Sequence, residues 1–373
     1  MSYIKKFVEK SVISRREFLL KSALGIGGLA AMPLISPLSK AMAAGVEGAP
    51  FTLAWGYRDP DNAYWNTIAA GGQSYAKTQN APMVSLINGG NNEKVLADIK
   101  ALLSKTEGRL AIGCDPNDAP NARAVVTACQ QRGAYITTIW NKTDDLHPWD
   151  FGDNYVAHIS WSDYEPAQQC AHLLFETMGK KGGIVGLGGI ASNVPAIERK
   201  AALMKTLQDY PDITLLDWQD ADWSTSKANN IMSTMLTRFG DEIKGIFSSN
   251  DSMTLGIIEA LRAEGLAGQI PIVSYDGTPD AVKLCISGEI LCTVSTDPYW
   301  AGGIALSLAH HAAQGHFKPS AEPHEHREFY GPTIMITKDD AQKWFKENID
   351  NTPVVDWNNF WQASKGPIQY RKL

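Results

Sequence analysis

The sequence predicts an α/β protein made of two doubly wound lobes, each with a parallel β-sheet covered by helices on both faces. From Phe51 onward, short apolar segments alternate with segments of helical period, which is typical of strands joined by helices. The alternation runs twice, with a separation near residues 156–162. A chain of 373 residues is also long enough for two lobes of ordinary size.

The first run of the pattern predicts the first lobe. Its apolar segments are short, and helical segments such as EKVLADIKALLSKT lie between them, so successive strands are expected to run parallel. The expected strands are 51–57, 83–87, 109–115 and 135–140, and the expected helices are 65–79, 93–106 and 121–132.

The second run predicts the second lobe by the same reasoning. Each apolar segment is followed or preceded by a stretch of helical period. The expected strands are 182–189, 213–218, 243–251, 270–277 and 289–298.

The N-terminal segment has the features of an export signal. Two arginines in SRREFLLK precede an apolar stretch at 22–38, and small residues follow at Ala41 and Ala43. Two prolines interrupt the apolar stretch, which makes it a poor membrane span. We therefore predict a twin-arginine signal peptide over residues 1–43, read by the twin-arginine translocase and cleaved near Ala43. The mature protein is then expected in the periplasm.

The charge balance argues against nucleic acid as a partner. Residues 1–43 carry seven Lys or Arg and two Asp or Glu, so their removal leaves 27 basic and 38 acidic residues. The resulting formal net charge of about −11 repels phosphate backbones and anionic lipid.

The five cysteines are odd in number and contain no C-x-x-C motif. Because twin-arginine substrates fold in the reducing cytoplasm, we expect buried thiols rather than a disulfide framework. Cys285 and Cys292 are the one pair close in sequence, and a bridge between them stays open.

Polar and aromatic residues follow the predicted strands, where ligands of open parallel sheets bind. In DGTPD, Thr278 and Pro279 suit a helix start, which leaves Asp276 free to project into a crevice. Carboxylate, amide and guanidinium groups can bond every hydroxyl of a sugar, and Tyr and Trp rings can stack on its C–H faces. The residues at strand ends are Tyr57, Arg58, Asp59, Asn88, Asp115, Trp140, Asn141, Asn250, Asp251, Asp276, Thr296 and Asp297.

Three segments resemble the ribose- and galactose-type periplasmic sugar-binding proteins, the soluble receptors of ABC importers. They are DNAYWNTIAAG (61–71), FSSNDSMTLGIIEAL (247–261) and VSYDGTPDAVKLCISGEILCTVSTDPYWAG (273–302), and the similarity runs from about Phe51 to Trp344. GIASNVPAIERK (189–200) and ADW (221–223) add to it. The resemblance implies that the ligand is contacted by Asn62, Tyr64, Trp65, Arg199, Trp223, Asn250 and Asp276.

The resemblance also implies the architecture and the activity. It implies lobes joined by a three-stranded hinge, with crossings near Ile159, near 296–298 and near 330–332. We expect an N-terminal lobe of 50–159 plus 297–330, a C-terminal lobe of 160–296 plus 331–345, and an extension of 346–373. The implied function is binding of a monosaccharide or polyol and its delivery to a permease in the inner membrane, with no catalysis and no cofactor.

Two positions depart from the pattern of the sugar-binding relatives. Trp140 and Asn141 stand where an Asp-Arg pair is frequent, and Thr296 stands where Gln is frequent. We count all three as candidate ligand contacts, and we expect a ligand that differs from ribose in shape or oxygen pattern.

Two alternatives remain open at this point. Gly186 to Ala191 fits the dinucleotide-binding pattern G-x-G-x-x-A after a strand, which would suit an exported NAD(P)-dependent oxidoreductase. The H-E-H segment at 324–326 has a spacing that could hold zinc, although a solvated helix end and loop is the favoured explanation. We predict neither a metal nor a cofactor.

Overall fold

The computed structural model describes residues 50–59, 62–363 and 366–370, so the predicted signal peptide (1–43) lies outside the described residues. The first lobe begins with five parallel strands in the order β2-β1-β3-β4-β5. The order reverses between β1 and β3, which is the switch point where such sheets bind ligands. The elements are β1 (Thr52–Tyr57), α1 (Ala63–Thr78), β2 (Met83–Ile87), α2 (Asn92–Lys105), β3 (Leu110–Cys114), α3 (Ala119–Gln131), β4 (Tyr135–Ile139) and β5 (Tyr155–Ser160).

The second lobe repeats this plan. Its parallel strands lie in the order β7-β6-β8-β9-β10, with the switch point between β6 and β8. The elements are α4 (Tyr164–Thr177), β6 (Gly182–Gly188), α5 (Val194–Leu207), β7 (Ile213–Asp220), α6 (Thr225–Phe239), β8 (Ile243–Ser248), α7 (Asp251–Ala263), β9 (Ile272–Val273), α8 (Pro279–Ser287) and β10 (Cys292–Ser295).

The chain then returns to each lobe once more. Helix α9 (Pro298–Ala313) packs on α1, and β11 (Glu328–Tyr330) adds to the first sheet beside β5. Strand β12 (Ile334–Thr337) pairs antiparallel with β10, and α10 (Lys338–Phe345) packs on α8. Two parallel-sheet lobes interleaved with helices confirm the predicted fold class.

Residues after α10 lead back to the first lobe. Ile349 packs on the core of the second lobe, whereas Trp357 and Trp361 pack on the core of the first. Short strands β13 (Gln362–Ala363) and β14 (Gly366–Pro367) pair with each other, and β15 (Gln369–Tyr370) pairs antiparallel with β11. In the described chain the extension is therefore a further connection between the lobes, besides the passages after β5, β10 and β11.

Both faces of each sheet are covered by apolar side chains from the helices. All five cysteines are buried and unpaired, so Cys285 and Cys292 form no bridge; Cys292 Sγ lies 3.7 Å from Cys170 Sγ instead. Within the described ranges, no helix combines the length and apolar character that a membrane span requires.

Candidate functional site

A cavity lies between the lobes, beyond the carboxyl ends of the strands. It contains about 430 Å³ of space not occupied by atoms, part of it open to solvent. Nine of the ten residues predicted from the sequence line it. They are Asn62, Tyr64, Trp65, Trp140, Asn141, Arg199, Trp223, Asn250 and Asp276.

Thr296 is the tenth predicted residue, and it is not part of the cavity lining. It is fully buried, and its hydroxyl donates to the Tyr64 hydroxyl at 3.3 Å. The shorter side chain that replaces the frequent Gln therefore meets the site through Tyr64. Its predicted ligand contact has no support in this arrangement.

Helix starts position residues on both sides of the cavity. Asn62 caps α1 by accepting from the Tyr64 N–H at 2.9 Å, which holds Tyr64 and Trp65 in the first turn at the cavity. Asn250 caps α7 in the same way, accepting from the Met253 N–H at 2.9 Å. The cap uses only the side-chain oxygen, and the amide N–H donates to Asp276 Oδ2 at 3.3 Å. Capping and site formation are thus combined in one side chain.

Aromatic rings form much of the wall. The indole N–H of Trp140 donates to the Tyr64 hydroxyl at 2.9 Å, and Trp140 also packs on the buried Trp161 with ring centroids 4.3 Å apart. The Arg199 guanidinium lies 5.8 Å from the rings of both Trp140 and Trp223. Flat apolar faces and a fork of donors therefore meet in the same small volume.

Three residues of the wall have backbone conformations that only glycine adopts easily. The φ angles are 62° at Trp140, 64° at Trp223 and 120° at Asp276. Such conformations cost roughly 1–3 kcal/mol each and concentrate at functional sites. The surrounding fold holds these side chains in place against that cost.

Asp276 is a buried carboxylate with few partners. Asp276 is only 7% exposed. Among the described residues, its carboxylate accepts one hydrogen bond, from the Asn250 amide. Arg199 Nη1 lies 4.0 Å from its other oxygen. Burial and the nearby Asp251 raise the pKa of Asp276 well above its usual range, although Arg199 opposes this. A carboxylate can accept about four hydrogen bonds, so most of its capacity faces the cavity unused.

Arg199 is held in place by groups of its own lobe. Its Nε and Nη2 donate to Asp163 Oδ1 at 3.2 and 3.0 Å, and Nη1 donates to the Ser249 carbonyl at 2.7 Å. Its guanidinium also stacks 3.9 Å from the centroid of Tyr275. The orientation of this donor is therefore set before any ligand arrives.

Three further polar residues line the cavity and were not among the chosen candidates: Arg58, Asp115 and Asn193. Together with Asn141 they form what we call the interlobe cluster. Arg58 donates to Asp115 at 3.0 Å and, across the cleft, to Asn193 Oδ1 at 2.9 Å. Asn141 donates to Asp115 at 2.9 Å. Arg58 and Asp115 stand at predicted strand ends, and that position was the available signal for them.

Asn193 is an N-cap residue whose side chain makes no capping bond. Its amide instead accepts from the Trp223 indole N–H at 2.8 Å and donates to the Asn117 carbonyl at 2.6 Å. The first of these bonds orients a ring of the cavity wall, and the second crosses to the other lobe. Pro195, in the first turn of the same helix, also lines the cavity.

The glycine motif at 186–191 has a packing role in the structure. A Cβ on Gly189 would lie 1.9 Å from the Trp223 ring, and one on Gly186 would lie 2.3 Å from the Trp218 ring. These glycines make room for two tryptophan rings rather than for a dinucleotide phosphate. The oxidoreductase alternative loses its main support.

The two histidines of the H-E-H segment stack on tryptophan rings. His324 stacks on Trp149 with centroids 3.8 Å apart, and His326 stacks on Trp361 at 3.9 Å and contacts Glu322 at 2.7 Å. Among the residues that the structure describes, no group of three or more His, Cys, Asp or Glu is arranged to hold a metal ion.

Comparison with known proteins shows which family this chain resembles. A family model described as a periplasmic binding protein domain matches residues 54–316. The D-allose-binding periplasmic protein of Escherichia coli is 25% identical over 250 residues, which are 66% of this chain and 79% of that protein. The ribose import binding protein of Haemophilus influenzae is 26% identical over 264 residues, 71% of this chain and 86% of that protein.

A solved structure gives a closer match. A twin-arginine translocation pathway signal protein from Burkholderia phytofirmans is 46% identical with a TM-score of 0.83, and the match covers 87% of this chain and all of that one. A solute-binding protein from Actinobacillus succinogenes with bound D-allose shares the fold, at 23% identity and a TM-score of 0.67 over 79% of this chain and 100% of that one. The chain belongs to the family of periplasmic binding proteins.

Proposed function

We propose that this protein is the soluble receptor of an ABC importer and binds a monosaccharide or polyol in the cavity between its lobes. Asp276 is the observation that carries the proposal, because a buried carboxylate with unused acceptor positions needs hydroxyl donors. Relatives described as binding D-allose, ribose and xylitol support this class of ligand. The proposal includes no catalytic step and no cofactor.

The surrounding groups suit such a ligand. Asp276 accepts from hydroxyls, Arg199 donates to ring or hydroxyl oxygens, and the rings of Trp65, Trp140 and Trp223 offer apolar faces for C–H groups. Buried hydrogen bonds to charged groups contribute about 1.5–3 kcal/mol each. A few of them explain tight binding without any covalent chemistry.

Lobe closure gives the receptor its signal. The interlobe cluster contains bonds that exist only when Arg58 and Asn193 are close, so closing the cleft forms them. A ligand that contacts both lobes shifts the hinge equilibrium towards this closed form. We propose that the permease recognises that form and accepts the ligand from it.

Export by the twin-arginine pathway completes the proposal. The paired arginines and the small residues at Ala41 and Ala43 predict cleavage near Ala43. The relative at 46% identity, described as a twin-arginine translocation pathway signal protein, supports this route to the periplasm.

Trp140 and Asn141 bear on the choice of ligand. Both side chains are uncharged, so neither offers the charge of an Asp-Arg pair. Their polar groups are also bonded within the protein: Trp140 to Tyr64, and Asn141 to Asp115 and the Val194 N–H. We propose a ligand other than ribose, such as a polyol, a deoxy or branched sugar, or a larger ring.

The test is a thermal-shift screen of the purified protein against monosaccharides, polyols, amino acids, divalent metals and NAD(P). A ligand at a hundred times its Kd stabilises the folded state by about 2.7 kcal/mol. We expect a shift of several degrees with one sugar or polyol, and a much smaller one in Asp276→Asn. Shifts with NAD(P) or a metal and with no sugar or polyol would overturn the proposal.

A further inference from the structure

A second and larger cavity adjoins the candidate site. It contains about 950 Å³ of space not occupied by atoms, compared with about 430 Å³ in the first, and both are partly open to solvent. Tyr64 and Asp276 line both cavities. These two side chains therefore form part of the wall between the cavities, and the wall is narrow there.

The second cavity has the chemistry of a carbohydrate site. Asn66 of α1 offers an amide group. Thr67 offers a hydroxyl oxygen and Asn348 an amide, whose donors already bond the Ala63 and Trp344 carbonyls in part. The rings of Tyr299 and Trp344 offer apolar faces. The same combination of residue types lines the first cavity. Its volume lies in the range of small-molecule sites, roughly 300–1,000 Å³.

The C-terminal extension forms one side of this cavity. The segment from Trp344 to Pro353 contributes to its lining and lies beyond residues 54–316, where the family model matches. The extension as a whole contacts both lobes. Ile349 packs on the core of the second lobe, whereas Trp357 is buried on the first and its carbonyl accepts from the Ser307 hydroxyl at 2.7 Å.

Asp276 links the two cavities chemically. Its carboxylate is more than nine-tenths buried and receives one hydrogen bond, from Asn250 at 3.3 Å. Because it lines both cavities, its unused acceptor positions can serve hydroxyls of two adjacent sugar units. A single ring in the first cavity leaves the groups of the second without a ligand.

We propose that the second cavity binds a further unit of the ligand, so that the substrate is a disaccharide or other glycoside. Its first ring occupies the candidate site, and its second unit extends past Tyr64 and Asp276 towards Tyr299 and Trp344. This inference rests on the proposed function, since it extends the same sugar site.

The experiment measures Kd by calorimetry for matched pairs: D-ribose, D-allose, D-glucose and D-galactose, each with its methyl and phenyl glycosides, together with disaccharides of glucose and galactose. We expect at least one glycoside or disaccharide to bind ten or more times tighter than its parent monosaccharide. In Asn66→Trp, a large ring at an exposed position of the lining occupies the part of the second cavity beside α1, so this ratio should fall towards one.

Gln73→Trp is the matched control, because Gln73 is exposed on the same helix and outside the cavity lining. It should retain the full ratio. The inference is wrong if every parent monosaccharide binds at least as tightly as its glycosides, or if Asn66→Trp keeps the ratio of the unmodified protein. Binding of a monosaccharide, or of a polyol alone, leaves the proposed function intact in those cases. A lack of binding by every sugar, glycoside and polyol, including those of the thermal-shift screen, removes both.

Discussion

The two ends of the candidate site differ in how far their polar groups are already bonded to the protein. At one end, the interlobe cluster joins Arg58, Asp115, Asn141 and Asn193 by bonds of 2.9–3.0 Å. At the other end, Asp276 receives a single bond of 3.3 Å. Bonded groups gain little from a ligand, whereas an under-bonded buried group gains much. The first end is therefore suited to closing the cleft, and the second to holding the ligand.

The same contrast appears between two neighbouring carboxylates of the second lobe. Asp251 is fully buried and accepts from Ser274, Thr293 and both the N–H and the hydroxyl of Thr278. Burial raises the pKa of Asp251 to about 6, with the hydrogen bonds opposing the shift. Asp276 lacks such a set of donors. One carboxylate serves the fold, and the other is left for a ligand.

The largest expected effect is on binding in Asp276→Asn. The substitution keeps the size of the side chain but removes the charge and half of the acceptor capacity. With two hydroxyl bonds lost or weakened at about 1.5–3 kcal/mol each, affinity should fall roughly a hundredfold or more. Calorimetric titration with the ligand found in the screen measures it. A change below threefold would show that Asp276 is not a ligand contact.

Asp251→Asn should reverse this result. Its amide N–H₂ would replace one carboxylate oxygen and face either the N–H and hydroxyl of Thr278 or the hydroxyls of Ser274 and Thr293. Buried donors would be left unsatisfied, so the free energy of unfolding should fall by about 2–3 kcal/mol. Asp251 does not line the cavity, so affinity at a temperature where the protein is folded should change little. Urea denaturation measures the stability. Equal stability of this variant and the unmodified protein would contradict the assignment of Asp251 to the fold.

Much of the fold could be predicted from the sequence, and the exceptions have physical reasons. Strand β5 lies at residues interpreted as a break between the two runs of the pattern. All six of its residues are buried, but they include His158 and Ser160, so the segment shows neither alternation nor a continuous apolar run. Strand β9 spans two residues where a longer strand is expected at 270–277. The residues after β9 still bond β10 as far as Asp276, whose N–H donates to the Val294 carbonyl at 2.9 Å. The positive φ of Asp276 then turns the chain away from the sheet.

The site was predictable where residues stand at strand ends or helix starts. Asn193 also stands at a helix start, where its sequence position indicates a cap, yet its side chain bonds Arg58 at a separation of 135 residues. Only the closed arrangement of the lobes brings them together. The positive φ angles of Trp140 and Trp223 likewise could not be predicted from composition or spacing. Nor do Trp357 and Trp361 reveal in sequence that the extension joins both lobes.

The pH dependence of stability sharpens the contrast between the carboxylates. Burial raises the pKa of Asp276 in the folded protein, while the unfolded chain ionises near pH 4. Between these pKa values the folded state holds a proton that the unfolded chain has lost, so ionisation of this group lowers the free energy of unfolding as pH rises. Asp276→Asn should therefore be more stable than the unmodified protein at pH 8, in the absence of ligand.

That advantage should shrink as the pH falls towards 4, where the unfolded chain also begins to hold the proton. Paired urea denaturation curves at pH 4 and pH 8 measure it. Because Asp251 and Asp276 affect each other's pKa, the same pair is also measured in an Asp251→Asn background. A variant that is less stable than the unmodified protein at pH 8 would mean that Asp276 is satisfied within the ligand-free fold. The comparison between the two ends of the site would then fail.

The smallest expected effect concerns the interlobe cluster. Asn193→Ala removes two bonds across the cleft, to Arg58 and to the Asn117 carbonyl. It also removes the bond that orients Trp223, but it keeps every side chain assigned to the ligand. It weakens the closed form by about 1 kcal/mol, so the dissociation rate of the ligand should rise about fivefold while the association rate stays within twofold. Stopped-flow tryptophan fluorescence can follow both rates, since Trp140 and Trp223 line the cavity. Gln73→Ala, exposed and far from the cleft lining, is the matched control. An effect on association alone would instead assign Asn193 to the open form and contradict its role in closure.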